Sequence, residues 1–176
     1  MWSRVFAVLV MVGLICTRAL AANEDLTTLM TKGRQAFHNA NYEVAEHYNR
    51  LAVAAAESTG NTALWAEAIG DLGGVLLARG HYDDAKRLCL KALETLRNAP
   101  NGKHYLPIVL NNLGGLAIQT GNYADSDRYL KESFRIAQQL NPHDPYLARV
   151  LNNLGVLHQA TRDNGRAEKD FKQAIA

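Results

Sequence analysis

Histidines are the first candidates for metal binding or proton transfer in this chain, and their spacing argues against both. A zinc site on a helix typically places two histidines four residues apart with a carboxylate between them, and a catalytic metal usually needs three protein ligands. His38 and His47 stand nine residues apart across a predicted turn, and His81 lies in another turn. The sequence therefore predicts no metal site. We expect surface or turn positions for the six histidines, which are His38, His47, His81, His104, His143 and His158.

Glycine pairs and acidic pairs could indicate phosphate binding or acid–base catalysis. Gly73-Gly74 and Gly114-Gly115 lie inside helical patterns and lack the Lys and Ser or Thr that complete a phosphate-binding loop. Asp83-Asp84 is close to a predicted helix start, where the helix dipole stabilises negative charge. No Ser, Cys or Thr nucleophile lies in a recognisable elbow motif. We therefore expect a protein that is not an enzyme and needs no cofactor.

The first 21 residues have the features of an export signal. Arg4 gives a positive start, an apolar run extends from Val5 to Ile15, and Ala19-Leu20-Ala21 provides a cleavage site with small residues. The apolar run is too short to span a bilayer comfortably. The sequence predicts a signal peptide over residues 1–21 and a periplasmic or secreted mature protein, with no membrane span after cleavage. A buried N-terminal helix and an uncleaved anchor are the alternatives.

The charges of the predicted mature chain are balanced. The whole chain has 19 Lys and Arg against 17 Asp and Glu, and both Arg4 and Arg18 fall within residues 1–21. A protein without net charge has no overall field that attracts nucleic acid or anionic lipid. We therefore expect no nucleic-acid partner.

Cys89 is the only cysteine after residue 21, which excludes an internal disulfide in the predicted mature chain. It stands between Leu88 and Leu90 in a helical pattern. Free cysteines in such surroundings usually behave as small buried hydrophobes, so we expect an unreactive thiol.

A fourfold repeat is the strongest pattern in the chain. Glycines recur with spacings of 40, 41 and 41 residues; a small residue follows each after twelve positions, and a further aligned residue follows after sixteen. The glycines are Gly33, Gly73, Gly114 and Gly155, the small residues are Ala45, Ala85, Ser126 and Ala167, and the residues four positions later are Asn49, Cys89, Leu130 and Phe171. A fixed period of this length is typical of stacked units, each too small to bury its own apolar face.

Each copy predicts two antiparallel helices joined by a tight turn. In the third copy, Leu113, Leu116 and Ala117 have the spacing of a buried helical stripe, Gly121 ends that helix, and Asn122 caps the next. The predicted helices cover residues 24–39, 41–58, 61–79, 81–97, 103–120, 122–140, 145–161 and 163–176. The expected fold is all-α, a right-handed solenoid of antiparallel helix pairs. Its domain extends over residues 22–176, with repeats over about 24–58, 61–97, 103–140 and 145–176.

These residues resemble the tetratricopeptide repeat. The Leu-Gly pairs, the Gly-x-Tyr turns at Gly80–Tyr82 and Gly121–Tyr123, and the later small residues are hallmarks of that family. The Leu-Asn-Asn-Leu-Gly stretches at 110–114 and 151–155 look like the longer repeats of kinesin light chains and similar bacterial proteins. The resemblance covers about residues 24–176. The first and last copies depart from the pattern, as terminal copies often do.

The resemblance implies a groove that binds a peptide or protein segment on the concave surface, lined by the first helix of each repeat. By position, the candidate residues are Arg34, Asp71, Asn112 and Asn153, with Asn111, Arg149 and Asn152 nearby. An asparagine carboxamide both donates and accepts hydrogen bonds, so a row of them could bind an extended backbone whatever its sequence. Alternatively, these asparagines could satisfy neighbouring helix termini or face water.

The leading hypothesis is therefore a non-catalytic, exported scaffold that binds a partner protein in its groove. The alternatives are a sensing or regulatory segment of a larger exported protein and, more weakly, an enzyme or an enzyme's accessory subunit. Phe171, Ala174 and Ile175 form an apolar stripe on the last predicted helix. We expect this stripe to be an association surface through which the protein self-associates.

Overall fold

A computed structural model describes residues 25–144 and 146–175 of the chain. In these ranges the chain forms eight α-helices, one short 3₁₀ helix over Gly102–His104, and no β-strand. The helices are α1 (Leu26–His38), α2 (Tyr42–Thr59), α3 (Thr62–Ala78), α4 (Tyr82–Asn98), α5 (Leu106–Gln119), α6 (Tyr123–Leu140), α7 (Tyr146–Ala160) and α8 (Asn164–Ala174). The predicted all-α fold is confirmed, and each helix end lies within three residues of its predicted position. The signal peptide predicted over residues 1–21 lies outside the described residues and stays a prediction.

The turn inside each helix pair places one residue in the left-handed backbone region. Gly80 and Gly121 adopt φ of 74° and 72°, and Ala40 and Arg162 adopt φ of 55° and 63° at the same position of the other two repeats. Glycine reaches this region without strain, whereas a residue with a Cβ is disfavoured there by about 1–2 kcal/mol. The first and last repeats therefore keep the turn geometry at a conformational cost that the two central repeats avoid.

Side-chain caps begin the second helices of the first, third and fourth pairs, and the cap of the third pair at Asn122 was predicted. The Oδ1 atoms of Asn41, Asn122 and Asp163 accept hydrogen bonds from the backbone N–H three residues further on, at 3.4, 3.3 and 3.1 Å. Each such cap contributes about 1 kcal/mol. In the second pair His81 occupies the cap position and makes no side-chain hydrogen bond there.

The four helix pairs stack in chain order. Each helix packs against the next along the chain, and the first helices also pack directly against one another, α1 on α3, α3 on α5 and α5 on α7. Among the described residues, no comparable packing joins one second helix to the next. Helices on the inside of a curved array lie closer together than those on the outside. The first helices therefore form the inner, concave layer, and the second helices form the outer layer.

Close approach within a pair depends on the repeated glycine. A Cβ atom at Gly114 would lie 2.5 Å from the Cγ of Leu130, and one at Gly155 would lie 2.6 Å from the Phe171 ring. Leu113 and Leu154, one residue earlier, are buried in the core. The apolar stripe predicted for the first helices is therefore present, and each buried leucine contributes roughly 1.5–3 kcal/mol.

Two buried serines replace the usual alanines in α6 without leaving polar atoms unpaired. The hydroxyl of Ser126 donates to the carbonyl oxygen of Gly114 at 2.9 Å, and that of Ser133 donates to the carbonyl oxygen of Pro107 at 2.8 Å. Both residues are fully buried. These hydrogen bonds join α5 to α6 in addition to the apolar packing.

Glu46 forms a nearly buried ionic link between the first two helix pairs. Its carboxylate oxygens lie 2.7 Å from Nη2 of Arg50 and 2.7 Å from Nη1 of Arg79. Burial acts to raise the pKa of Glu46, but the hydrogen bonds and charges of the two arginines outweigh it and lower the pKa. The carboxylate therefore stabilises the fold in its ionised form.

Candidate functional site on the concave face

Three of the predicted groove residues line one pocket on the inner layer. Arg34 lies on α1, Asp71 on α3 and Arg149 on α7, so the first, second and fourth repeats all contribute. The pocket has a volume of about 430 Å³, within the range of ligand-binding clefts. Its other lining residues are Phe37, His38, Asn49, Gly70 and Gly74.

An ionic cluster lies along one side of this pocket. The Nε atom of Arg34 donates to Oδ2 of Asp71 at 2.7 Å, and Nη2 donates to Oε2 of Glu67 at 3.2 Å. The side chain of Arg34 is about half exposed, at 48%, so the pair itself contributes little to stability. Its effect is to hold the guanidinium in a fixed direction at the pocket edge.

Asp71 is the more enclosed member of the pair. Burial raises the pKa of Asp71, and the charge and hydrogen bond of Arg34 offset only part of that effect. The side chain of Asp71 is 24% exposed, against 48% for Arg34, so fewer water molecules surround its carboxylate. Polar contacts made by a ligand are stronger in such surroundings than on an open surface.

Arg149 supplies a second guanidinium from the far end of the repeat array. Its guanidinium carbon lies 5.3 Å from the centroid of the Tyr146 ring, one helical turn earlier on α7. The Tyr146 hydroxyl in turn donates to the carbonyl oxygen of Ile108 on α5 at 3.4 Å. The exposed Arg149 has no carboxylate of the described residues within ion-pairing distance. Its hydrogen-bond donors are available to a ligand.

The expected row of exposed asparagines is wrong for Asn111 and Asn112, which are only 3% and 6% exposed. Asn112 donates from Nδ2 to the carbonyl oxygen of Gly70 on α3 at 3.0 Å. Asn153, which is half-buried, donates from Nδ2 to Oδ1 of Asn111 at 3.0 Å. These contacts join the first helix of one repeat to that of the preceding repeat. The asparagines hold the inner layer together, and among the predicted asparagines only Asn152 is exposed.

Sequence reasoning did not identify five residues of the pocket wall. Phe37 and His38 end α1, and their exposure is typical of any helix end, so no sequence signal marks them. Asn49 did carry a signal, since it is the polar member of a repeat position that is otherwise apolar. Gly70 and Gly74 belong to a first helix that is rich in glycine.

The expected surface or turn position is wrong for His158, which is only 9% exposed and whose Nδ1 atom lies 2.6 Å from Oδ2 of Asp170. In residues 25–144 and 146–175, no three His, Cys, Asp or Glu side chains are grouped so that they could hold a metal ion. Cys89 is buried as predicted, and burial raises the pKa of its thiol to about 12. Within the same ranges no helix has the length and apolar character needed to cross a membrane.

Comparison with known proteins supports the assignment of the repeats. Two family models, both described as tetratricopeptide repeat, match residues 105–176 and residues 65–99. Together these matches cover more than half of the chain. No curated protein sequence matches the chain.

Solved structures with the same fold include two repeat proteins. The crystal structure of BtubC (BKLC) from P. vanneervenii matches with a TM-score of 0.65 and 20% identity, over 85% of this chain and 61% of that one. The apo form of RapI matches with a TM-score of 0.69 and 17% identity, over 91% of this chain and 59% of that one. The chain thus spans about three fifths of the length of each neighbour, and identities this low establish the fold alone. From the two family models and the stacked helix pairs, we conclude that this chain belongs to the tetratricopeptide repeat family.

Proposed function

We propose that this protein is a non-catalytic scaffold that binds an extended segment of a partner polypeptide on its concave face. The observation that carries the proposal is the pocket of about 430 Å³ to which Arg34, Asp71 and Arg149 contribute from three different repeats. We expect a protein partner because tetratricopeptide repeats generally act as protein-interaction modules. The binding roles of the individual pocket residues are our proposal.

The groups around the pocket suit a polypeptide ligand. A peptide backbone presents a donor and an acceptor at nearly every residue, and the pocket offers both kinds of partner. Arg149 can donate to a ligand carbonyl or carboxylate oxygen, and Asp71 and Glu67 each have one carboxylate oxygen that makes no hydrogen bond to Arg34. Phe37, which is 38% exposed, adds an apolar surface for a ligand side chain.

We further propose that the protein acts outside the cytoplasm. The basis is the sequence of residues 1–21, with a charged start, an apolar run and a small-residue cleavage site. N-terminal sequencing of the protein recovered from the exported fraction tests this directly. A mature N-terminus at residue 22 is the expected result, and an intact Met1 would contradict it.

Binding can be tested before the natural partner is identified. Short random peptides displayed on phage are selected on the full chain, and the affinity of the selected peptides is measured by fluorescence anisotropy. Replacing Arg149 with Gln removes the guanidinium charge and should weaken binding about tenfold, as expected for one charge-assisted hydrogen bond.

Arg87→Gln is a matched control on the outer layer. Arg87 lies on α4, its side chain is 80% exposed, and it pairs only locally with Asp84 at 2.7 Å. This variant should bind the selected peptides as the wild type does. Equal losses in both variants would place binding outside the concave face, and failure to select any peptide would overturn the proposed function itself.

A further inference from the structure

One position of the repeat changes character in the first copy. Sixteen residues after the repeated glycine, the second helix carries Cys89, Leu130 and Phe171 in the second, third and fourth copies, and each packs against its glycine. The first copy carries Asn49 instead. A Cβ atom at Gly33 would overlap the Oδ1 atom of Asn49, so the carboxamide occupies the same place as the apolar side chains.

Asn49 is unfavourable for the fold as it stands. It is 1% exposed, and its Oδ1 atom has no hydrogen-bond partner among the described residues. A buried carbonyl oxygen that loses water without gaining a donor destabilises the folded state. The other three repeats show that an apolar residue fits this position. Folding alone therefore does not explain an asparagine here.

The position of Asn49 gives a reason for its polar side chain, because it also lines the concave pocket. The terminal torsion of an asparagine has a broad energy profile. Rotation about it can turn the carboxamide oxygen toward the pocket without moving α2. Gly74 lines the same pocket and leaves open space there, since a Cβ atom at Gly74 would find no atom within 4 Å.

We propose that Asn49 is a ligand-binding residue, whose Oδ1 accepts a hydrogen bond from a backbone amide N–H of a polypeptide segment that enters the pocket over Gly74. This inference rests on the proposed function and specifies one contact between the protein and the bound segment. Gly74 acts by leaving space: a helix-interior glycine with no packing neighbour lowers helix stability without improving the core. The role of Gly74 is to keep the pocket open for the bound segment.

The surrounding charges favour a neutral amide over a cationic donor. The pocket lining has two arginines, Arg34 and Arg149, and one carboxylate, Asp71, which pairs with Arg34 at 2.7 Å. A ligand ammonium group would therefore meet the like charge of Arg149. A peptide unit carries its acceptor oxygen next to its donor N–H. The same segment can therefore donate to Asn49 and accept from Arg149.

The first test measures stability without ligand. Asn49→Leu and Asn49→Cys reproduce the residues of the third and second copies, and each should raise the melting temperature by about 2–4 °C because the unpaired carbonyl is removed. Gly74→Ala should raise it as well, by a similar or smaller amount. If both Asn49 variants melt below the wild type, Asn49 has a structural role and the proposal is wrong.

The second test measures binding of the phage-selected peptides. Asn49→Leu, Asn49→Cys and Gly74→Leu should each weaken binding about tenfold or more. Cys89→Ala is the matched control, since it changes the equivalent position of the second copy outside the pocket. Unchanged affinity in both Asn49 variants, together with a loss in Arg149→Gln, would leave the proposed function standing and refute this inference alone.

Backbone N-methylation of a selected peptide identifies the donor. Methylation at one position should weaken binding to the wild type about tenfold and have no further effect on Asn49→Leu, because the hydrogen bond is already absent. If no position shows this dependence, the peptide does not donate a backbone N–H to Asn49, and the proposal is refuted. Failure to select any peptide would refute both this inference and the proposed function.

Discussion

Gly114 and Gly115 are neighbours in α5, and their replacement by alanine should change stability in opposite directions. Alanine in a helix interior is more stable than glycine by about 0.5–1 kcal/mol when the added methyl group meets no obstacle. At Gly115 the nearest atoms to a new Cβ are Asn153 Nδ2 at 3.8 Å and Leu77 Cδ1 at 3.9 Å, which are ordinary contacts. Gly115→Ala should therefore raise the melting temperature by about 1–4 °C.

At Gly114 the same methyl group would lie 2.5 Å from both Cγ and Cδ2 of Leu130. Leu130 is fully buried, and buried side chains are closely packed, so it cannot move aside without displacing its neighbours. Overpacking of this kind costs about 1–3 kcal/mol, and subtracting the helix gain of about 0.5–1 kcal/mol leaves a loss of up to about 2.5 kcal/mol. Gly114→Ala should lower the melting temperature by up to about 10 °C, and Gly114→Leu should lower it further.

Circular dichroism melts and urea titrations of the two variants measure these changes. Equal m-values would show that the two variants expose the same amount of surface on unfolding. The cause can be isolated by repeating Gly114→Ala in a Leu130→Ala background, where the methyl group has room and the loss should disappear. If Gly114→Ala melts at or above the wild-type temperature, α5 and α6 do not approach as closely as the packing of Leu130 on Gly114 requires.

Four further predictions follow from individual contacts. Asn112→Ala should lower the melting temperature by about 2–4 °C, because it removes the buried hydrogen bond to Gly70; an unchanged melt would show that this contact does not stabilise the inner layer. Glu46→Gln should destabilise the protein at neutral pH, because a carboxyl group whose pKa is lowered by folding contributes stability only when it is ionised. The difference in unfolding free energy between this variant and the wild type should shrink as the pH falls below about 4.5. Urea titrations across that pH range measure this difference. Alkylation followed by peptide mapping should modify Cys89 only after unfolding, and rapid labelling of the native protein would contradict its burial. Ile175, which is 87% exposed, should promote self-association. Ile175→Lys should therefore lower the average molecular mass measured by light scattering toward that of the monomer. A wild-type protein that is monomeric at high concentration would contradict this prediction.

The helices and turns were predictable because local chemistry determines them. The spacing of Leu113, Leu116 and Ala117, the glycine at 121 and the cap at Asn122 each act within a few residues of the backbone they control. Such signals survive in a single sequence. The period of 40 or 41 residues then required the helix pairs to stack, because one pair cannot bury its apolar face.

The burial of Asn111 and Asn112 could not be predicted in the same way. Helical periodicity shows which residues share a face, but it does not show which faces a neighbouring repeat covers. The first helices in the middle of the array are packed on both sides by other first helices, so the inner layer buries more of their surface than one amphipathic stripe predicts. Polar residues on that layer therefore make hydrogen bonds between repeats. Only polar residues that do not contact a neighbouring repeat remain accessible to a ligand.

The pocket itself depends on curvature, which no local pattern encodes. Arg34 and Arg149 are more than a hundred residues apart in sequence, and both line the same cavity. Their approach reflects the small rotation between successive repeats, summed over the whole array. The repeat alignment could still have marked Asn49, because a lone polar residue at an apolar repeat position is visible without coordinates.

The proposed site links ligand binding to the integrity of the array. In the proposed complex, a segment held between Arg34 on α1 and Arg149 on α7 bridges the first and fourth repeats, which are not neighbours in the stack. Repeat arrays otherwise gain stability mainly from contacts between nearest neighbours. A ligand that binds the folded array and not the unfolded chain stabilises it in proportion to the logarithm of its concentration. In the proposed complex that stabilisation extends from the first repeat to the fourth, because the separation of the two arginines depends on the inner-layer contacts between them, such as that between Asn112 and Gly70.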